Sequence, residues 1–403
     1  MRRRMLAAFM SVGILLLLAA LRPATVYGQE TYGPNDVIFM VDEISPVVEA
    51  GSFQPGKGDP ALSAASAVVM DADTGQVLFA RNAHQPKPIA STTKIMTALV
   101  AIECGNLYST ATVSPRAAGV EGSSVYLRAG EKLTLEELIY GALMHSGNDA
   151  CVAIAEHLAG REEVFVNFMN YKAHRLGARN TNFCNTNGLP HDKHLSSAYD
   201  LALITRHALR NPVFSRIVST KTHTIAGPKG KRFLSNTNKM LWSYQGADGV
   251  KTGTTNAAGK CLVSSASRDG RRLIAVVLHS DDRWGESIKL LNYGFTEFSN
   301  QVVARKGEAL TAVTVEDGVK REVPVTVARD VVVTVPNSEG DQIEKRVLLE
   351  AKLSAPVKHG QQVGKLEVIV AGERVAGSKL VILEGTDKLP YTRLVLRQIY
   401  SRF

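Results

Sequence analysis

The spacing of hydrophobic and polar residues changes character several times along the chain. Near the start, Met5 to Leu21 is almost unbroken apolar sequence. Two short strand-like runs, Ser66 to Asp71 and Gln76 to Ala80, then flank Asp73-Thr74-Gly75, which predicts a hairpin. From Ser91 to about Leu209 the apolar residues recur at helical spacing. This stretch includes Thr134 to Met144, with Thr134 placed to cap toward Glu137, and Asp149 to Leu158. Strands return at Lys260–Arg268 and Arg271–His279 around Asp269-Gly270, a strong hairpin signal, and a helix follows over Asp282–Phe298. Strands at both ends with helices between them predict an α+β domain, an antiparallel sheet with a helical region packed on it. Residues 302–385 are valine-rich, alternate in polarity and are broken by Asp317-Gly318, Asn337, Gly340, Gly360 and Gly372, which predicts a separate all-β module. The end of the chain places Leu396, Ile399, Tyr400 and Phe403 on one helical face and Arg393, Arg397 and Arg402 elsewhere. That basic amphipathic pattern suits a helix lying on a membrane or one docked on the β-module, and the pattern leaves both open.

Composition changes this picture at the N-terminus. Met1-Arg2-Arg3-Arg4, the apolar run and the small residues before Gln29 have the layout of a secretory signal over residues 1–28, with an uncleaved anchor as the alternative. Either way the remainder lies outside the cytoplasm. Loss of Arg2, Arg3, Arg4 and Arg22 lowers the formal charge from +9 to +5. The rest has no Arg/Lys block interleaved with aromatics, so nucleic acid is not an expected partner. Residues 29–62, with Pro34, Pro46, Pro55 and Pro60 and little periodicity, read as a linker. The expected organisation is therefore signal 1–28, linker 29–62, α+β domain 63–300, β-module 301–385 and tail 386–403. Cys104, Cys151, Cys184 and Cys261 lack the close spacing of a zinc or redox site, and the sequence leaves open whether they are bridged or free.

Chemistry concentrates in three short stretches. Ser91-Thr92-Thr93-Lys94 puts a serine and a lysine three residues apart at the start of an otherwise apolar helix. On one helical face such a pair lies about 5–6 Å apart between Cβ atoms. A serine hydroxyl becomes a nucleophile when a neighbouring base takes its proton, and a lysine acts as that base once burial or a second cation lowers its proton affinity. Ser146-Gly147-Asn148 sits on a turn between two helices, offering a hydroxyl for proton relay and an amide able both to donate and to accept. Lys251-Thr252-Gly253-Thr254 precedes the second hairpin. A glycine on a strand edge lets a substrate backbone approach as an added strand, and Lys251 supplies a cation for a carboxylate.

Ser-x-x-Lys, a Ser-x-Asn motif and Lys-Thr-Gly in this order form the signature of penicillin-binding proteins and class A β-lactamases. The chain resembles the D-alanyl-D-alanine carboxypeptidases among the low-molecular-mass penicillin-binding proteins. The similarity runs over about residues 60–300, including MDADTGQVLFARNA (70–83), ASTTKIMTAL (90–99), HSGNDACVAIAEHLAG (145–160), GARNTNFCNTNGLP (177–190) and GADGVKTGTTNAAGKCLVSSASRDGRRLIAVVL (246–278). The resemblance implies a β-lactamase/transpeptidase-like fold and a Ser91 acyl-enzyme that releases the terminal D-alanine of a peptidoglycan stem pentapeptide. It assigns catalysis to Ser91, Lys94 and Ser146, substrate binding to Asn148, Lys251, Thr252, Gly253 and Thr254, and an oxyanion hole to the backbone N–H groups of Ser91 and Thr254. β-Lactam antibiotics would acylate Ser91 as covalent inhibitors, and no metal or cofactor is implied. Relatives often carry His or Tyr at the position of Thr254, and some carry Asn-Arg-Asn where this chain has Asn236-Thr237-Asn238.

The rival readings share parts of this site. A class A β-lactamase needs a Glu-x-x-Leu-Asn stretch after the second motif, and no such run lies between Asn148 and Lys251. A transpeptidase uses the same acyl-enzyme with a different acceptor, and a non-catalytic homologue would hold peptidoglycan without needing Lys94 and Ser146. His145 adjoins Ser146 without a Gly-x-Ser-x-Gly elbow, and His191-Asp192-Lys193-His194, following Gly188-Leu189-Pro190, reads as an exposed loop.

Overall fold

The computed structural model describes residues 60–227, 230–337, 343–350, 352–393 and 395. The expected signal, nearly all of the expected linker and the apolar face of the expected tail helix lie outside the described residues. No helix among the described residues is long and apolar enough to cross a membrane.

The strands predicted at the two ends of the first domain meet in one antiparallel sheet. Its spatial order is Val77–Arg81, Ser66–Asp71, Arg271–Ser280, Gly259–Arg268 and Ala247–Thr255. The register sets Ala67 opposite Val277 and Val69 opposite Ala275. Side chains alternate across a pleated strand, so each strand feeds two cores. Val68, Met70, Ile274, Val276 and Leu278 pack with the helical region, while Val69, Leu273, Ala275 and Val277 pack with Leu290 and Leu291 of the Arg283–Glu297 helix. Burial on both faces explains why these strands read as continuous apolar runs. The Ala247–Thr255 strand is the sheet's outer edge, which leaves its backbone available to an incoming strand.

The helical region follows the expected pattern with two exceptions. Thr134 accepts from the Glu137 N–H while the Glu137 carboxylate accepts from the Thr134 N–H, a complete capping box on Leu135–Met144. Two small two-stranded sheets carry no clear periodic signal: Thr110–Thr112 with Lys132–Thr134, inside the stretch expected to be helical, and Thr222–Gly227 with Gly230–Ser235.

Beyond the Arg283–Glu297 helix the chain turns to strands. Phe298–Ala304 pairs with Val331–Pro336, and a six-stranded sheet runs in the order Ile343–Leu349, Gln362–Val370, Glu373–Ile382, Glu322–Val327, Thr311–Glu316, Leu353–Ser354. Alternate valines fill the space between them, among them Val313, Val325, Val333 and Val368. Polar clasps join this part to the five-stranded sheet. Arg271 donates to Asp71 (2.8 Å) and to the carbonyls of Gly294 (3.0 Å) and Phe298 (2.6 Å). The Gln76 side chain donates to Thr334 O (2.9 Å) and accepts from Thr334 N–H (2.7 Å), pairing with that strand as a peptide group would.

Candidate active site

Ser91 does not stand on the α-helix itself. Ala90–Thr93 form a 3-10 turn, and the α-helix begins at Lys94 and runs to Cys104. Two threonines account for the tighter turn, because Thr92 Oγ1 donates to Ile89 O (2.7 Å) and Thr93 Oγ1 to Ala90 O (2.8 Å). Such side-chain bonds compete with the α-helical ladder. In a 3-10 turn positions i and i+3 eclipse, so Ser91 and Lys94 face each other more directly than an α-helix allows. The turn is held under strain: Ala90 has φ +47°, and Tyr126 (φ +60°) and Ser146 (φ +65°) repeat that unusual conformation nearby. Each such residue costs on the order of 1–3 kcal/mol and persists only where its surroundings enforce it.

Lys94 is fully buried, and its ammonium meets three acceptors: Ser91 Oγ (2.8 Å), Asn148 Oδ1 (2.8 Å) and Asn187 O (2.7 Å). Burial pulls its pKa down to about 8, against a partial upward pull from Asp149. A neutral amine in this position keeps two donors for Asn148 and Asn187 and turns its lone pair to the Ser91 hydroxyl. The sequence-based expectation that a second cation would depress Lys94 is realised on the other lysine. Lys251 lies well below the ordinary value through burial first and then the Lys94 charge.

Ser146 occupies the turn between Leu135–Met144 and Asn148–Ala159, 7% exposed, with no hydrogen bond from its hydroxyl among the described residues. Asn148 opens the second helix, with Oδ1 toward Lys94 and Nδ2 donating to Glu121 O (2.6 Å). One amide N–H remains for a substrate carbonyl. The neighbouring Asp149 carboxylate accepts from Ser124 Oγ, Val125 N–H and Leu127 N–H, which clasps the 121–127 loop against the site.

Lys251, Thr252, Gly253 and Thr254 lie on the edge strand, as expected. Lys251 Nζ is buried and donates to Thr252 O (3.0 Å), and Thr252 Oγ1 meets Thr237 Oγ1 at 3.0 Å. Thr237 thus faces the site, while Asn236 Nδ2 is bonded to Val218 O and Thr220 O. Gly253 is needed for close approach: a Cβ there would lie 2.9 Å from Ile89 O and 3.1 Å from Ser91 N. The edge strand is therefore pressed onto the Ala90–Thr93 turn, which sets the Thr254 backbone beside Ser91.

Three participants carried no signal in the motifs. Arg283, at the start of its helix, donates from Nη1 to Gly253 O (2.9 Å) and Thr254 Oγ1 (2.8 Å). A cation at a helix N-terminus opposes the helix dipole, and that mismatch was the available clue. A cavity of about 250 Å³ opens there, lined by Thr254, Lys260, Arg283 and Trp284 among others. The Asn187 carbonyl comes from a loop that was legible only as a turn. His194 corrects an expectation: His191, Asp192 and Lys193 are exposed, but His194 is 3% exposed. Its Nδ1 accepts from Cys184 N–H (3.0 Å), so Nε2 carries the proton and donates to Thr93 Oγ1 (2.8 Å). Burial first, then His191 and Lys94, hold its pKa at about 4, so it stays neutral. The same loop presses Gly188 (φ +89°) onto the turn, where a Cβ would lie 1.9 Å from Ala90 O. All four cysteines are free thiols, and no group of three or more metal-ligating side chains converges among the described residues.

The D-alanyl-D-alanine carboxypeptidase family matches residues 54–282, and the penicillin-binding protein 5 C-terminal domain family matches residues 298–388. The D-alanyl-D-alanine carboxypeptidase DacF of Bacillus subtilis (strain 168) is 34% identical over 356 residues, spanning 85% of this chain and 92% of that protein. The crystal structure of penicillin-binding protein 5 from Haemophilus influenzae matches with a TM-score of 0.73 at 32% identity, covering 83% of this chain and 100% of that one. A mutant of the Streptomyces K15 DD-transpeptidase matches with a TM-score of 0.56 at 34% identity, covering 59% of this chain and 99% of that one. With one family spanning more than half of its length and a full-length relative at this identity, the chain belongs to the D-alanyl-D-alanine carboxypeptidase family of serine peptidases.

Proposed function

We propose that Ser91 attacks the carbonyl between the two terminal D-alanines of a peptidoglycan stem pentapeptide, and that Lys94 is the base that takes its proton. The observation that carries this reading is the Lys94 amino group, buried and fixed by two protein acceptors with its third partner the Ser91 hydroxyl at 2.8 Å. As the Ser91 Oγ–carbon bond forms, the proton passes to Lys94 Nζ. The developing oxyanion is met by the N–H groups of Ser91 and Thr254, and one such donor is worth roughly 10²–10³ in rate. Ser146 relays a proton to the departing nitrogen as the peptide bond breaks and D-alanine leaves. Asn148 holds the substrate amide, Gly253 admits the substrate backbone, and Lys251, Thr252 and Thr254, with Arg283 behind Thr254, draw in the terminal carboxylate. Water then cleaves the ester by the reverse proton path. β-Lactams acylate Ser91 in the same way.

The protein works outside the cytoplasm, in periplasm or wall or on the outer face of the membrane. Support comes from the signal-like residues 1–28 and from a substrate that belongs to the cell wall. Membrane contact through the basic amphipathic residues 391–403 belongs to the same reading, as does the assignment of catalysis to residues 63–300 with 301–385 as a separate module. Transpeptidation is the second reading, favoured by the likeness to the Streptomyces DD-transpeptidase; there an amine replaces water at the acyl-enzyme. The deciding experiment is D-alanine release from a pentapeptide by wild type and Ser91→Ala, alongside labelling with fluorescent penicillin. Release and labelling confined to wild type are expected. Equal release from both proteins removes Ser91 as nucleophile, and substrate binding without labelling of wild type marks a non-catalytic homologue.

A further inference from the structure

A second concave site lies at the opposite end of the catalytic sheet. The Gly259–Arg268 strand has Lys260 beside Thr254 at one end and the Asp269-Gly270 turn at the other, about 30 Å away at strand rise. Near that turn is a cavity of about 430 Å³, with Asp73, Arg206, Leu209, Arg210, Gly270 and Arg272 in its lining. Three guanidinium groups and one carboxylate therefore share one hollow.

The charges there are poorly compensated. Arg206 donates from Nε to Ala72 O (2.7 Å) and from Nη2 to Asp73 O (2.8 Å), both neutral carbonyls, and forms no ion pair among the described residues. Arg210, one helical turn further on and exposed, has no side-chain hydrogen bond or ion pair among the described residues. Like charges at that spacing repel. Arg272 is paired through Nε with Asp248 (2.9 Å) and through Nη1 with Ser215 Oγ (3.2 Å), leaving Nη2. Asp73 is the one acid in the lining, one carboxylate among three guanidinium groups; burial first, then Asp71, pushes its carboxyl pKa up, against a downward pull from Arg272, Arg206 and Arg210. Asp71 itself is committed to Arg271 at 2.8 Å. Burial first, then Arg210, pulls Arg206 down to about 10, against an upward pull from Asp71 and Asp73, so it remains charged at neutral pH.

We propose that this hollow binds a phosphate-bearing ligand, gripped by Arg210 with the free edges of Arg206 and Arg272. The chemistry favours phosphate over carboxylate. A planar carboxylate is saturated by one guanidinium fork, whereas a tetrahedral phosphate offers oxygens to forks arriving from different elements. The volume exceeds that of a bare phosphate and Leu209 gives it an apolar side, so the ligand is a phosphoester. It comes from a soluble ester or from a phospholipid headgroup.

The test uses the full-length protein. Glycerol 3-phosphate, titrated against chloride at equal ionic strength, is expected to raise the melting temperature by about 3 °C near saturation. Arg210→Glu abolishes the shift without altering D-alanine release, and Asp73→Asn tightens binding at least threefold by removing the competing carboxylate. In a second arm, phosphatidylglycerol and phosphatidylcholine vesicles are co-sedimented with wild type and Arg210→Glu, so that any contribution of the tail is common to both. A shift in the first arm identifies a soluble ester. A tenfold loss of phosphatidylglycerol binding in Arg210→Glu with no shift in the first arm identifies a lipid headgroup. The proposal is overturned if Arg210→Glu behaves as wild type in both arms.

Discussion

The catalytic part and the β-module bury different things. Between Ser66 and Glu297 the interior holds three lysines, Lys94, Lys172 and Lys251, together with Asp71, Asp149, Asp200, Glu162 and Glu286. In the module the buried polar residues are Thr326, Thr334, Ser378 and Thr386, none charged, among the described residues. Burying a charge is expensive unless it is paired and hydrogen-bonded. The module follows the low-cost course with a core of valines, whereas the catalytic part accepts the expense where charge is used. Even inside the catalytic part the buried lysines divide. Lys172 is matched by Glu103 at 2.7 Å, but Lys94 meets only neutral acceptors. Pairing stabilises the first, and burial with no carboxylate hydrogen-bonded to its ammonium lowers the proton affinity of the second.

Substitutions test that division. Lys94→Met keeps the volume and removes the base, so pentapeptide turnover and penicillin acylation should both fall about 10³–10⁴-fold while the protein remains folded, as followed by circular dichroism. Glu103→Ala strands Lys172 and should cost about 3–5 kcal/mol in urea unfolding, with kcat nearly unchanged in the folded fraction. A comparable loss of stability in Lys94→Met with retained activity would reverse the roles assigned to the two lysines.

The pH profile separates them further. Lys94 is active as the neutral amine, so kcat/KM for acylation should climb about tenfold per pH unit below about 8 and level off above it. A flat profile from pH 6 to 8 would exclude Lys94 as the base. His194→Phe removes the donor to Thr93 and leaves Cys184 N–H unpaired. We expect about a tenfold fall in kcat with KM little altered, and partial recovery in His194→Gln. The smallest effect on chemistry belongs to Val333→Ala in the module. It should lower unfolding free energy by about 1–2 kcal/mol and leave kcat/KM within twofold.

What the sequence made legible is local. The Thr134–Glu137 capping box, the Asp269-Gly270 hairpin and the Ser91–Lys94 spacing each lie within four residues, where chain geometry alone brings partners together. The 3-10 turn under Ser91 was misread as α-helix because apolar periodicity does not register the Thr92 and Thr93 hydroxyls bonding back three residues. His194, Asn187 and Arg283 were invisible for a different reason. Their partners Thr93, Lys94 and Gly253 lie 101, 93 and 30 positions away, and only the closed fold brings them to hydrogen-bond distance. The Thr222–Gly227 and Gly230–Ser235 hairpin escaped because its strands are half exposed and polar.

The contact of Gly188 with the nucleophile turn bears on inheritance as well as geometry. Any side chain at that position would displace Ala90, and with it Ser91, the serine proposed as the nucleophile, so the wall behind it cannot be reshaped one residue at a time. Gly253 imposes the same restriction from the other side. A lineage under antibiotic selection is thus denied the single-step routes through these two positions. Its accessible variation lies instead in surfaces that rest on the site from outside, such as the 121–127 loop.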